Sequence, residues 1–190
     1  MVPRVIAAAI LSGGQARRFF GRDKSRLVAG ADGRTILERQ LDVLAPLAQQ
    51  IVIVTSHARL PDFAKFAGIS VVADHYPGEG PLGAVLTALE SVDPLDVLVI
   101  AGDMPDISGP FVRALMAMHE RGAHDVTAAE SSRGVEPLAA IYGRAAYPVL
   151  RASFASGERA LHRAVRLVRL GVMPADETNF RNINAPEDLR

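Results

Sequence analysis

The sequence predicts an α/β protein built on a mostly parallel sheet, and three observations carry that expectation. Short apolar runs rich in β-branched residues recur along the chain, helix-patterned stretches separate them, and the loops after the runs gather Gly, Asp and basic residues. The runs are Val5–Leu11, Ile51–Thr55, Ser70–Ala73 and Val97–Ala101, with Asp125–Ala129 as a further strand. The first four are apolar at consecutive rather than alternating positions. That is the pattern of strands covered on both faces, as in a parallel sheet flanked by helices.

The helices are read from caps and periodicity. Thr35 and Glu38 form a capping box that opens a helix with Ile36, Leu37, Leu41 and Leu44 as its apolar positions. Pro81 suits the first turn of a helix running through Leu82, Val85, Leu86 and Leu89. Phe111, Leu115 and Met118 mark a third, and Leu161, Val165 and Val168 a fourth. Gly134–Ala139 reads as a short strand-like piece bracketed by Gly and Pro. No repeat, linker or low-complexity tract divides the chain, so residues 1–190 are expected to form one domain.

Composition limits the function classes. The chain is 49% hydrophobic with 16 Gly and 12 Pro, a globular balance. Its 21 basic residues are matched by 21 acidic ones, which disfavours a general nucleic-acid binder. With no Cys, disulfides, thiolate metal sites and Cys nucleophiles are ruled out. The five His show no metal-ligand spacing, and His119 and His124 read as surface helix and loop residues. No Gly-x-Ser-x-Gly elbow is present. The apolar run Val5–Leu11 is too short to span a bilayer and lacks the flanks of a cleaved signal, so a cytoplasmic enzyme is expected.

In open α/β sheets ligands bind beyond the carboxyl ends of the strands, so the loops at 12–24, 55–60, 74–80 and 102–108 are the places to look. The first reads Leu11-Ser-Gly-Gly-Gln-Ala-Arg-Arg-Phe-Phe-Gly-Arg-Asp-Lys24. Gly13 and Gly14 let backbone N–H groups approach an anion closely, and Arg17, Arg18, Arg22 and Lys24 supply cations. This combination suits a triphosphate. It is not a Walker A loop, because Gly21 is followed by Arg22. The fourth strand ends in Ala101-Gly-Asp-Met-Pro-Asp106. Asp103, beside Gly102, can hold Mg2+, which needs one or two carboxylates and completes its shell with water and phosphate oxygens. Asp74, after the third strand, is open to a ligand role or a turn role. Gly78-Glu-Gly80-Pro-Leu-Gly83 is a literal G-x-G-x-x-G, but residues 74–77 separate it from the strand and Pro81 removes a backbone donor. A dinucleotide reading is therefore set aside. Near the end, Asn182 and Asn184 would project to one side of an extended segment, and Asn184 with Glu187 also fits a helix cap.

Taken in order, these residues resemble the molybdenum cofactor guanylyltransferase family, the MobA-type proteins. The resemblance rests on Leu11, Gly13, Gly14, Arg18, Asp23 and Lys24, then Gly80-Pro-Leu82, Asp103 with Pro105, Gly157-Glu-Arg159, and Asn182-x-Asn184-x-Pro186-Glu-Asp-Leu189. The chain departs from the pattern at Ser12, where the family usually has Ala, at Phe20 in place of Gly, and at Thr55 in place of Asn. The resemblance implies a three-layer α/β/α, Rossmann-like nucleotidyltransferase fold. It also implies transfer of GMP from GTP to the phosphate of molybdopterin. Leu11, Ser12, Gly13, Gly14, Lys24, Asp74 and Asp103 would then bind the nucleotide, Asp103 would hold Mg2+, and Lys24, Arg18 and Asp103 would serve catalysis. Asn182 and Asn184 would face molybdopterin. Further molybdenum cofactor biosynthesis proteins and recipient molybdoenzymes would be the protein partners, with no nucleic acid and no membrane involved. A related transferase using CTP or a sugar phosphate, and a non-catalytic cofactor carrier, are the alternatives.

Overall fold

The computed structural model describes residues 6–12, 27–28, 33–63, 66, 68–176 and 178. Among the described residues seven strands form one sheet: β1 (Ile6–Ser12), β2 (Gln50–Thr55), β3 (Ser70–Ala73), β4 (Asp96–Ala101), β5 (Val126–Ser131), β6 (Gly134–Gly143) and β7 (Leu170–Pro174). Their order is β3-β2-β1-β4-β6-β5-β7. The first four are mutually parallel, β6 runs antiparallel to β4 and β5, and β7 runs parallel to β5. The sheet is therefore mostly parallel, as the apolar runs predict.

Helices cover both faces. Alternate residues of the central strands point to opposite sides. Ala7, Ala9, Val52, Val54, Val97 and Val99 face α2 (Gly80–Glu90) and α4 (Ala146–Ala155) through Leu82, Val85, Leu86, Leu150 and Phe154. Ala8, Ile10, Ile51, Ile53, Leu98 and Ile100 face α1 (Ile36–Leu44) and α3 (Gly109–Arg121) through Leu37, Leu44, Phe111 and Leu115. The result is the expected three-layer α/β/α arrangement. Small Ala residues in β1 let helices sit close on both sides of the sheet centre.

The capping box is present: Glu38 N–H donates to Thr35 Oγ1 at 3.2 Å, and Thr35 N–H donates to Glu38 Oε2 at 2.9 Å. Pro81 lies in the first turn of α2. Three segments differ from expectation. The helix expected through Leu161, Val165 and Val168 is only the short α5 (Leu161–Ala164), followed by a 3-10 turn. The strand-like piece at 134–139 is the start of the ten-residue β6, whose pairing with β5 shifts register after Ala128. That bulge accommodates Pro137, which has no N–H to give a ladder. His119 is 2% exposed rather than on the surface. It lies four residues after Leu115 and eight after Phe111, on the buried stripe of α3. Its Nδ1 is 2.9 Å from Thr127 Oγ1 and its Nε2 3.4 Å from Asp96 Oδ1, which supplies the partners that a buried imidazole needs.

Candidate active site

The carboxyl edge of the sheet gathers the described sequence candidates. The register pairs Ser12 with Thr55, Thr55 with Ala73, and Leu11 with Ala101. Ala73, Thr55, Ser12 and Gly102 thus share one row across four parallel strands, and Asp74 and Asp103 lie one residue beyond it. Hydrogen bonds tie the row together. Thr55 Oγ1 donates to the Ser12 carbonyl at 2.9 Å, Asp74 N–H to the Thr55 carbonyl at 2.7 Å, and Gly102 N–H to the Leu11 carbonyl at 2.9 Å. Thr55, fully buried, therefore fastens the ends of β1 and β2. A family-typical Asn is not required for that task.

Asp103 sits in a tight turn, half-buried. Met104 N–H donates back to the Ala101 carbonyl at 3.3 Å, which closes a four-residue turn with Asp103 third. Gln40, from α1, donates through Nε2 to the Ala101 carbonyl at 2.8 Å and to the Met104 carbonyl at 3.0 Å.

Asp74 is engaged in a turn: its Oδ1 accepts from Tyr76 N–H at 2.9 Å and from Thr87 Oγ1 at 3.0 Å. The turn role left open by the sequence is thus realised, and both bonds use one oxygen. From there residues 75–79 fold back along α2. Gly83 permits this, because a Cβ on it would stand 2.8 Å from Tyr76 Cβ. Glu90 fixes the far end: its carboxylate accepts from Tyr76 and Tyr147 hydroxyls and from His75 Nδ1, each at 2.9 Å. Burial pushes the Glu90 carboxyl up, but the hydrogen bonds from His75, Tyr147 and Tyr76 outweigh it and hold the group below its usual range. The literal G-x-G-x-x-G is therefore a packing device. Gly80, at φ 81°, lies under the Gly157–Arg159 segment, where a Cβ would be 3.3 Å from the Arg159 carbonyl oxygen. Arg159 pairs with Glu79 and stacks on Phe154, its guanidinium carbon 4.1 Å from the ring centroid.

Leu11, Ser12, Asp74 and Asp103 thus share one edge. Gly13, Gly14, Arg18, Lys24, Asn182 and Asn184 lie outside the described residues. Gln40 and Thr87 were not singled out by the sequence reading. Both carried a signal: each is a polar residue on an apolar stripe, Gln40 between Ile36 and Leu44, Thr87 within Leu82–Leu89. Among the described residues no three His, Asp or Glu side chains gather as a metal cluster. No described helix is long and apolar enough to cross a membrane.

A family model for the MobA-like NTP transferase domain matches residues 8–171. The chain belongs to that family. Membership makes it a nucleotidyltransferase. A MobA-like relative from Chloroflexus aggregans, named probable molybdenum cofactor guanylyltransferase, is 34% identical over 201 residues, covering 100% of this chain and 94% of its own. The molybdenum cofactor guanylyltransferase of Cereibacter sphaeroides is 35% identical over 186 residues, covering 95% of this chain and 91% of its own. Among solved structures, molybdopterin-guanine dinucleotide biosynthesis protein A from Archaeoglobus fulgidus superposes with a TM-score of 0.80 at 23% identity, covering 96% of this chain and 94% of its own. A Mycobacterium tuberculosis H37Rv protein solved as a complex with manganese superposes with a TM-score of 0.70 at 16% identity, covering 97% and 95%. At these identities the two structures speak for the MobA-like fold alone.

Proposed function

We propose that this nucleotidyltransferase transfers the guanylyl group of GTP to the phosphate of molybdopterin. A molybdopterin phosphate oxygen attacks the α-phosphorus, the bond from that phosphorus to the bridging oxygen of the β-phosphate breaks, and pyrophosphate leaves with the electron pair. The observation that carries the reading is the shared row at the carboxyl edge. It sets the Gly102–Asp103 turn beside the end of β1, which Gly13–Lys24 follows in the sequence. Relatives at 34% and 35% identity named molybdenum cofactor guanylyltransferase support a guanylyl donor and a molybdenum cofactor acceptor.

The donor set fits a hard divalent cation. Asp103 is an oxygen donor on a short, braced turn, with no thiolate in the chain to draw a softer metal. Mg2+ held there would supply charge neutralisation on phosphate oxygens. The other tasks fall to the chain. Gly13 and Gly14 amides orient the triphosphate, Lys24 and Arg18 offset the charge that builds on it, and Leu11, Ser12 and Asp74 contact the nucleoside end. Asn182 and Asn184 receive the pterin. Catalysis on this reading is positioning and electrostatics, without a covalent enzyme intermediate. Residues 1–190 act as one domain around a sheet that already draws strands from Ile6 to Pro174, and the setting is cytoplasmic.

Calorimetry with GTP, CTP, ATP and UTP in the presence of Mg2+, followed by assay of guanine dinucleotide formation from molybdopterin, tests the proposal. GTP is expected to bind tightest and to be consumed only when molybdopterin is present. Preferred binding of CTP, or GTP binding without dinucleotide product, overturns it.

A further inference from the structure

We infer that Gln40 is a positioning residue for the Asp103 metal site, an inference that rests on the reading of Asp103 given above. Gln40 is 0% exposed and lies on α1, more than sixty residues from the turn it serves. Its Nε2 binds the first and last carbonyls of the four-residue turn, Ala101 and Met104, and so brackets Asp103. The amide orientation follows from these partners: both are acceptors, so only the NH2 group can face them. Its other atom, Oε1, is buried with no hydrogen-bond partner among the described residues. A buried orphan acceptor works against stability. The cost is tolerable if the two donors are what the position is kept for.

The mechanical consequence is direct. The turn is held from three sides: by the Gly102 N–H bond to the Leu11 carbonyl, by the turn's own Met104 N–H bond, and by Gln40. The first two constrain backbone that leads into the turn and closes it. Gln40 joins the turn to α1, and it holds both ends at once. Loss of its donors frees the two outer peptide groups that bracket the Gly102–Asp103–Met104 backbone carrying the Asp103 side chain. Groups that orient a metal ligand from behind typically contribute a factor of about 10–100 to metal affinity.

The test uses the full chain with Mn2+ as a spectroscopic probe, titrated by electron paramagnetic resonance with GTP present. Wild type, Asp103→Ala, Gln40→Met and Gln40→Glu are compared. Gln40→Met keeps the volume and the helix but removes both donors. It is expected to stay folded by circular dichroism and to bind Mn2+ about tenfold more weakly. Its metal-free GTP affinity is expected to stay within twofold of wild type. Gln40→Glu is near-isosteric. Burial raises the pKa of an inserted carboxyl, so at acid pH its protonated form keeps one O–H donor, and at alkaline pH its charge opposes both carbonyls. Its Mn2+ affinity should approach wild type at pH 6 and fall well below it at pH 8. A folded Gln40→Met that binds Mn2+ like wild type, while Asp103→Ala does not, overturns the inference and leaves the metal site standing. Mn2+ binding unchanged by Asp103→Ala overturns the metal site itself, and the inference with it. Should Gln40→Met fail to fold, a Gln40→Glu affinity that tracks wild type at both pH values overturns the inference on its own.

Discussion

Asp74 and Asp103 stand at the same height on the sheet edge and three strands apart, one following β3 and the other β4. At about 4.8 Å per strand their backbones are separated by roughly 14 Å. One metal ion cannot span that gap between two short side chains, so on the proposed function the two carboxylates would serve different parts of an extended ligand. Asp103→Ala should reduce turnover by about 10²-fold or more, because it removes charge stabilisation at the reacting phosphates. Asp74→Ala should weaken GTP binding while leaving the Mg2+ concentration for half-maximal rate unchanged. Steady-state kinetics at varied Mg2+ separates the two. A shifted Mg2+ requirement in Asp74→Ala contradicts the division.

Lys24 and Arg18 are assigned to phosphate charge. Replacing either by Ala should cost about 10–100-fold in GTP affinity, the range for a lost charge-assisted hydrogen bond, and leave guanosine binding nearly unchanged. Paired calorimetry with the two ligands is the measurement. An equal loss for guanosine would assign these side chains to the base or to folding.

Asn182→Ala should lower turnover with molybdopterin while GTP affinity stays within a few-fold, since a pterin edge offers both donors and acceptors to an amide. Asn184→Ala should lower that turnover as well; a lower melting temperature of the size of a lost helix cap, roughly 1 kcal/mol, with turnover intact would make Asn184 a cap rather than a pterin contact. If Asn182→Ala loses GTP binding and activity together, the Asn pair belongs to the nucleotide side of the cleft.

Why the sequence spoke clearly in some places and not in others has a physical explanation. Strands β1, β2 and β4 are buried on both faces, so each left a continuous apolar run, and the Thr35–Glu38 cap marked α1 because its hydrogen bonds are local. Asp103 was legible because it ends such a run beside a glycine. The buried positions of Gln40, Thr87 and His119 were not, because their partners are remote or lie on another element. Gln40 reaches across to residues 101 and 104, and His119 is buried by Asp96 and Thr127. The full length of β6 escaped notice for a related reason, and α4 and β7 were not read at all. β6 carries Gly, Glu and Pro at its start, and the bulge that admits Pro137 is a property of its pairing with β5.

Thr55 tests the row itself. Thr55→Val keeps shape and volume and removes only the hydroxyl that donates to the Ser12 carbonyl. A net loss of about 1 kcal/mol is expected, which for a chain of this size lowers the melting temperature by about 2–4 °C. Because Ser12 directly precedes Gly13 and Gly14, the Michaelis constant for GTP should rise a few-fold as well. A lowered melting temperature with unaltered GTP kinetics would confine Thr55 to folding.

Glu158 gives the segment beside α2 a defined acid sensitivity. Its carboxylate accepts from Arg163 Nε at 2.7 Å and Nη2 at 2.8 Å, and from the backbone N–H groups of Ala160 and Arg159, each at 2.8 Å. The Arg163 guanidinium, helped by those amides, holds its pKa down at about 2. A carboxyl depressed in the folded state contributes stability that is fully present above its ordinary pKa, near 4.3, and is lost as pH falls through the folded value. The melting-temperature difference between wild type and Glu158→Gln should therefore be constant from pH 8 to about pH 5. It should then shrink steadily as the pH approaches 2, as protonation removes the charge from the wild-type side chain too. Scanning calorimetry across that range makes the comparison. A difference that stays constant down to the acid limit would mean that shape, rather than charge, holds Glu158 against Arg163.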